Sequence, residues 1–325
     1  MKKMMMKKMV MKKMVMKMMM KKMIKMKMTM VIILCHIMSE TYNLHLHHHM
    51  PKKIAFLFLI YDIINHEDLW YKFFKDVLPT KFSIYIHYKY DVKLTYFEKY
   101  KLTTCIPTKY CDISIVHAHN LLLRKAYEDP DNYKFVNLSQ SCIPLKSFNY
   151  VYDFLTKDNM GHINEAPVTQ CFPRCNSVLK HLKYSTIRKS SNWFILNRRL
   201  VYIVINNDTY VNFFKDISCP EEHYFITIIN DCGLMDDFII TPNLSNGATT
   251  FTNWSDMDYG DDCECECECE CNCSCKLVSK DGLKNYDFIS DCELKYLLRS
   301  PCLFGRKFNK GCRINYDICM MKNKE

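Results

Sequence analysis

Two adjacent carboxylates, Glu221 and Glu222, sit in the run Cys219-Pro220-Glu221-Glu222-His223. A carboxylate fixed in place can take the proton from a hydroxyl as that oxygen attacks a carbon centre. A helix is expected over Glu221–Asn230, because Pro220 suits a first turn and acids suit the positive end of the helix dipole. Taken alone, the pair reads first as a solvated helix start. A transfer that expels a diphosphate also needs groups to neutralise the leaving charge. Many sheet enzymes use a metal on an Asp-x-Asp triplet at a strand end. Asp129-Pro130-Asp131 precedes a predicted strand, where a turn is expected, and Asp256-Met257-Asp258 borders a cysteine repeat, where a loop is expected. The strand best placed for a metal motif ends instead in Ser139-Gln140-Ser141-Cys142. No metal-ligand set is therefore expected. Lysine and arginine are the expected sources of positive charge.

The elements that must position these groups follow from hydrophobic patterning. Lys53 to Ile60 is a nearly continuous apolar run, which predicts a strand buried on both faces. His66 to Leu78 reads as a helix with Leu69, Trp70, Phe73, Phe74 and Val77 on one side. Phe82–His87 is a second strand, Ile113–Val116 a third and Tyr133–Ser139 a fourth, with a helix over His117–Glu128 between the last two. Ser147 is placed to cap a helix carrying Val151, Phe154 and Leu155. Strands alternating with helices predict an α/β fold with a mostly parallel, Rossmann-like sheet flanked by helices. Such sheets bind ligands beyond the carboxyl ends of their strands. The second half is less regular. Trp193–Leu196 is strand-like, Arg198–Ile205 and Asp291–Arg299 are helical, and Cys302-Leu303-Phe304 is apolar.

Of the 325 residues, 49% are hydrophobic and 25% charged, an ordinary globular composition. The net charge of +10 misleads, because residues 1–28 hold eleven lysines and no acid. The body is nearly neutral and has no broad basic face for a nucleic-acid backbone, so no nucleic-acid partner is expected. Residues 1–50 form a Met/Lys-rich tail that includes His45, His47, His48 and His49; it is expected to be disordered, with a basic membrane-surface or targeting segment as the alternative. The apolar stretch Met28–Met38 is too short for a membrane span of ~20 residues. Residues 51–325 form the folded domain, with a low-complexity insertion at 256–275. Seven of the 19 cysteines alternate strictly between Cys263 and Cys275, and the other twelve are scattered. That is not the spacing of a small disulfide framework. The repeat is expected to be a surface loop, although clustered thiolates could also hold soft metals.

Six segments resemble, in order, the core-2/I-branching N-acetylglucosaminyltransferase family, which includes peptide xylosyltransferases and plant and microbial relatives. They are Lys53–Leu59, Phe82–His87, Phe135–Leu145, Ser191–Arg198, Pro220–Phe225 and Leu303–Phe308. The resemblance implies a GT-A-like fold and an inverting, metal-independent transfer. It places the catalytic base on Glu222; Glu221 stands where the family usually has Asp. Lys307 falls on the lysine that meets the leaving diphosphate. A second cation is expected upstream, with Lys276, Lys280, Lys284 and Arg299 as candidates. His87 ends the second strand, where uracil and ribose are expected, and Tyr88-Lys89 replaces an Asp that some members carry after it. Ser139, Gln140 and Ser141 are expected to line the donor pocket. Trp254 and Glu165 are expected at the acceptor.

The resemblance implies a glycosyltransferase that takes a UDP-sugar as donor substrate, with N-acetylglucosamine or xylose favoured, and a glycan or protein-linked hydroxyl as acceptor. No cofactor is expected. The rival readings are a carbohydrate-binding module of the same fold without catalysis, and a metal-buffering protein centred on Cys263–Cys275. Animal members of the family are anchored by an N-terminal span, which makes membrane association a further expectation from the resemblance.

Overall fold

The computed structural model describes residues 52–166, 171, 174–241, 246–247, 249–253, 283–315 and 317, together with Met16. The remainder of the expected tail, Trp254, the insertion at 256–275, Lys276 and Lys280 lie outside the described residues. The chain divides into two units, 1–51 and 52–325. All the elements below belong to the second.

Its first half runs β1 (Lys53–Ile60), α1 (Glu67–Phe74), β2 (Phe82–Tyr88), α2 (Ile113–Tyr127), β3 (Asn132–Ser139), β4 (Ile143–Pro144), α3 (Phe148–Thr156) and β5 (Gly161–Asn164). The second half runs β6 (Ile195–Asn197), α4 (Arg198–Ile205), α5 (Val211–Phe214), α6 (Glu221–Asp231), β7 (Phe238–Thr241), β8 (Asn246–Gly247), β9 (Thr250–Thr252), β10 (Tyr286–Phe288), α7 (Asp291–Arg299), β11 (Phe304–Arg306) and β12 (Phe308–Arg313).

The fold is α/β. A six-stranded sheet has the order β2-β1-β3-β6-β5-β7. β1 pairs in parallel with both β2 and β3, and β5 with β7, whereas β6 runs antiparallel to β3 and β5. The expected parallel character holds for the first three strands, and β6 makes the sheet mixed. A second sheet, β4-β11-β9-β8, and the pair β10-β12 lie beside it in the topology. β11 pairs with β4, so the C-terminal segment is tied to the residues that follow β3.

The core explains why β1 reads as an unbroken apolar run. Phe56 packs edge-on against Phe73 and Phe74 of α1, with ring centres 5.9 and 4.9 Å apart, and Phe58 against Trp70 at 5.0 Å. Trp70 is fully buried and its indole N–H donates to the carbonyl of Cys142 at 2.9 Å. A buried Trp needs such a partner. The bond also anchors the turn after β3 to α1.

One predicted strand is absent. Ile113–Val116 is the first turn of α2, because the Asp112 carboxylate accepts the backbone N–H of Ser114 at 3.0 Å and caps the helix there. Its β-branched residues imitate a strand, but the cap decides. Ser147 caps α3 as expected, accepting from the N–H of Tyr150. A disulfide joins Cys111, just before α2, to Cys219, just before α6. Both cysteines have positive φ, 53° and 50°, and the N–H of Cys219 donates to the carbonyl of Cys111 at 3.2 Å. Two non-glycine residues in this sparsely populated region are held by one another, and they fix the entry into α6.

Candidate active site

Glu222 lies in the first turn of α6, behind the bridge at Cys219. Its Oε2 receives Arg174 Nη1 at 3.1 Å and Lys189 Nζ at 3.5 Å. Oε1 has no hydrogen bond among the described residues, so one carboxylate oxygen is neutralised and the other is open. Glu221 is turned inward. It is 9% exposed, its Oε2 is buried without a partner, and burial, with the charge of Glu222 adding to it, pushes its carboxyl up to about 7. Among the described residues, the one cluster with metal-ligand geometry is Cys111, Cys219 and Glu221, and both of its cysteines are spent on the disulfide.

The segment Arg188–Trp193 organises the site. Arg188 Nε pairs with Glu165 Oε1 at 2.9 Å, and the Arg188 carbonyl meets His223 Nδ1 at 3.0 Å. Lys189 reaches Glu222, and the N–H of Ser190 donates to the Glu222 carbonyl at 2.8 Å. Ser191 donates its N–H to Asn164 at the end of β5. The Asn192 amide meets His119 Nε2 at 3.0 Å, and its carbonyl accepts from Asn137 of β3. Trp193 carries the guanidinium of Arg306 over its ring, 3.9 Å from the centre. One short segment thus touches the carboxylate at one end and a cation of β11 at the other. From Lys189 to Trp193 it spans at most about 14 Å.

Lys307 sits in the junction between β11 and β12, half-buried. Burial and then the neighbouring Arg306 charge hold its ammonium below the usual lysine range. Ser139, Gln140 and Ser141 end β3 beside it. Phe308 donates its N–H to the Ser141 carbonyl at 3.0 Å, and Asn65 donates its backbone N–H to the Gln140 carbonyl and its side-chain amide to the Phe308 carbonyl. The hydroxyls of Ser139 and Ser141 face each other at 3.1 Å and are buried. The turn after β3 and the Lys307–Phe308 junction are therefore joined by backbone hydrogen bonds.

The other predicted residues are placed as follows. His87 is fully buried at the end of β2; its Nε2 accepts from the N–H of Ile106 at 3.1 Å, and burial pushes the imidazole down to about 4. Through Ile106 and the next residue, Tyr88, it adjoins an open cavity of about 340 Å³ lined by Tyr88, Lys89 and residues 103–107. Glu165 joins the Glu222 end through Arg188. Arg299 is exposed on the last turn of α7, and Lys284 is paired with Glu293 at 2.6 Å. Asp129 and Asp131 pair with Lys53 at the start of β1, at the opposite end of the strands from Ser139. That is the turn the sequence predicted.

Against known proteins, the model of the core-2/I-branching enzyme family matches residues 54–280. The chain belongs to that family. A curated relative, glycosyltransferase BC10 of Oryza sativa subsp. japonica, is 24% identical over 238 residues, which cover 62% of this chain. The chain spans 57% of the length of that relative. A solved structure of an active-site mutant of LgtC aligns at 8% identity with a TM-score of 0.32, over 54% of this chain and 69% of that one; the fold is read here from the sheet itself. The family match takes in Glu165, Glu222 and the whole segment 188–193, and ends before β11.

Sequence reasoning missed Arg174, Arg188, Lys189 and the contact of Arg306 with the Trp193 ring. Lys189 lies two residues before the Ser191–Arg198 motif, which was the available signal. Arg174 had none, because a loop brings it to Glu222.

Proposed function

We propose that this core-2/I-branching family chain is an inverting, metal-independent glycosyltransferase that moves a sugar from a UDP-sugar to a hydroxyl on a glycan or protein. Glu222 is the base that takes the acceptor proton. Lys307 neutralises the departing diphosphate. N-acetylglucosamine and xylose are the favoured donors. The nucleoside lies along the ends of β2 and β3, over the cavity beside Tyr88 and Lys89, with Ser139–Ser141 as its floor.

The observation that carries this reading is the segment Arg188–Trp193, which meets the Glu222 carboxylate through Lys189 and the Arg306 guanidinium through Trp193, and so ties an open carboxylate to the cationic end of β11. Inversion requires base and leaving-group cations on opposite sides of the sugar, since acceptor and leaving group stand on opposite faces of the anomeric carbon. Arg174 and Lys189 hold one oxygen of Glu222 and fix its rotamer, which leaves Oε1 for the acceptor. Arg188 performs the same service for Glu165. The cations at β11 do without a carboxylate neighbour the work that a metal on an Asp-x-Asp triplet does elsewhere.

A panel of UDP-sugars assayed with wild type and Glu222→Gln, in the presence of a chelator, tests the proposal. Transfer by wild type that is lost in the variant is expected. Protein that neither binds UDP nor hydrolyses any UDP-sugar would instead point to a carbohydrate-binding module of the same family.

A further inference from the structure

The chain holds five Asn-x-Ser/Thr triplets with no proline in the middle, at Asn137, Asn207, Asn243, Asn253 and Asn272. Such a triplet accepts an N-linked glycan where its asparagine can be reached at the surface. Asn243 and Asn272 lie outside the described residues. Asn137 is buried in β3, and Asn253 is buried with its amide donating to the Tyr286 hydroxyl. Neither has room for a sugar in the folded chain. Asn207-Asp208-Thr209 differs. It forms the turn between α4 and α5, where Asn207 is partly exposed and Asn206, Asp208 and Thr209 are exposed.

That turn is held in place by three elements. Asn207 Nδ2 donates to the Ile203 carbonyl at 2.6 Å, which satisfies one of the last carbonyls of α4. Asp208 pairs with Arg124 in the last turn of α2 at 2.6 Å, and the Tyr210 hydroxyl donates to Asp231, the last residue of α6. A glycan on Nδ2 replaces one of its two hydrogens and leaves the other for Ile203, so the modified side chain keeps its bond. The site is also clear of the carboxylate. Both α2 and α6 begin beside the Cys111–Cys219 bridge and end beside this turn. Glu222, in the first turn of α6, stands about 14 Å from Asp231 along the helix axis.

The bridge is a second, independent pointer. A disulfide between cysteines 108 apart in sequence forms and persists in an oxidising compartment. The lumen that makes such bridges is also where asparagine receives its glycan.

We infer that Asn207 is an N-glycosylation site. The reaction joins Asn207 Nδ2 to C1 of an oligosaccharide carried on a lipid pyrophosphate. The bond from C1 to the pyrophosphate oxygen breaks, the lipid pyrophosphate leaves, and one amide proton is released. Nothing in this depends on which sugar the chain itself transfers.

The full chain is expressed in eukaryotic cells as wild type, Asn207→Gln, Thr209→Ala and Thr209→Ser, and each is digested with peptide N-glycosidase F. Wild type and Thr209→Ser are expected to lose mass, with Asn207 converted to Asp in the peptide that contains it. Asn207→Gln and Thr209→Ala are expected to carry no glycan at residue 207. Thr209→Ala leaves the amide that caps α4 in place, so it answers even where Asn207→Gln misfolds. Peptides containing Asn137 and Asn253 are expected to be unmodified. An unmodified Asn207 in wild type overturns the inference, and so does a glycan at Asn207 that survives in Thr209→Ala. A glycan on Asn137 or Asn253 shows that burial does not select among the triplets and overturns the structural argument.

Discussion

Lys189 reaches Glu222 Oε2 at 3.5 Å, and the next residue, Ser190, donates its backbone N–H to the carbonyl of the same glutamate at 2.8 Å. Side chain and main chain of one short segment thus fix both ends of residue 222. A carboxylate held in this way keeps its orientation without being buried, and it needs no rearrangement when an acceptor arrives.

Glu222→Gln should therefore remove proton transfer and little else. Transfer is expected to fall at least ~100-fold, in the range general-base catalysis supplies, with UDP affinity within twofold of wild type. Single-turnover assays and UDP titrations measure the two quantities; residual transfer near the wild-type rate would take the base assignment away.

Lys307→Ala should act on the donor. A hydrogen bond to a charged group is worth about 1.5–3 kcal/mol, or roughly 10–150-fold in affinity. UDP binding is expected to weaken by that factor and uridine binding to hold. Rising salt should narrow the gap between wild type and variant, since wild type alone gains from the charge.

Glu221 should give the protein a visible pH dependence. Burial raises its carboxyl from 4.5 to about 7. The folded state then holds a proton that the unfolded state releases between those values. Stability from this group is full at acid pH, falls as pH rises from about 4.5 to about 7, and is level above that. The total is on the order of 3 kcal/mol. Denaturant melts of wild type and Glu221→Gln at pH 5 and pH 8 test it: the variant should lose less stability between the two, and equal losses would contradict the assignment.

The Cys111–Cys219 disulfide closes a loop with a sequence separation of 108. Cys111→Ala/Cys219→Ala is expected to destabilise the fold by about 2–5 kcal/mol. Because Cys219 leads directly into α6, transfer should fall as well. A double variant with reduced thermal stability but full activity would show that the bridge does not set the position of Glu222.

Gly161 tests the sheet. A Cβ there would meet the Phe238 ring at 2.8 Å and the Ile195 carbonyl at 2.9 Å. Gly161→Ala should cost about 1–3 kcal/mol by overpacking β5 between β6 and β7. Equilibrium unfolding measures it, and an unchanged midpoint would contradict the packing described.

Much of the architecture was legible because it rests on local patterning. The apolar run of β1, the amphipathic face of α1, the Ser147 cap and the acid-led start of α6 each follow from residues a few positions apart. The strand predicted at Ile113–Val116 failed for an equally local reason. Its β-branched residues outweighed Asp112, whose side chain takes the N–H of Ser114 and begins the helix. The antiparallel entry of β6 was not legible, since strand direction is decided by partners distant in sequence.

The sequence by itself determined which residues have the chemistry: an acid pair at a helix start, a lysine in the terminal segment, and polar residues ending a buried strand. Those are properties of residue type and short spacing. The tertiary structure decided which acid is open and which is sealed, because Glu221 and Glu222 differ only in what packs around them. It also decided that the Arg306 guanidinium lies over the Trp193 ring and that Arg299 is exposed. Burial and pairing come from segments distant in sequence, such as Arg174 and Glu222, Pro144 and Phe304 or Trp193 and Arg306, and no local pattern records them.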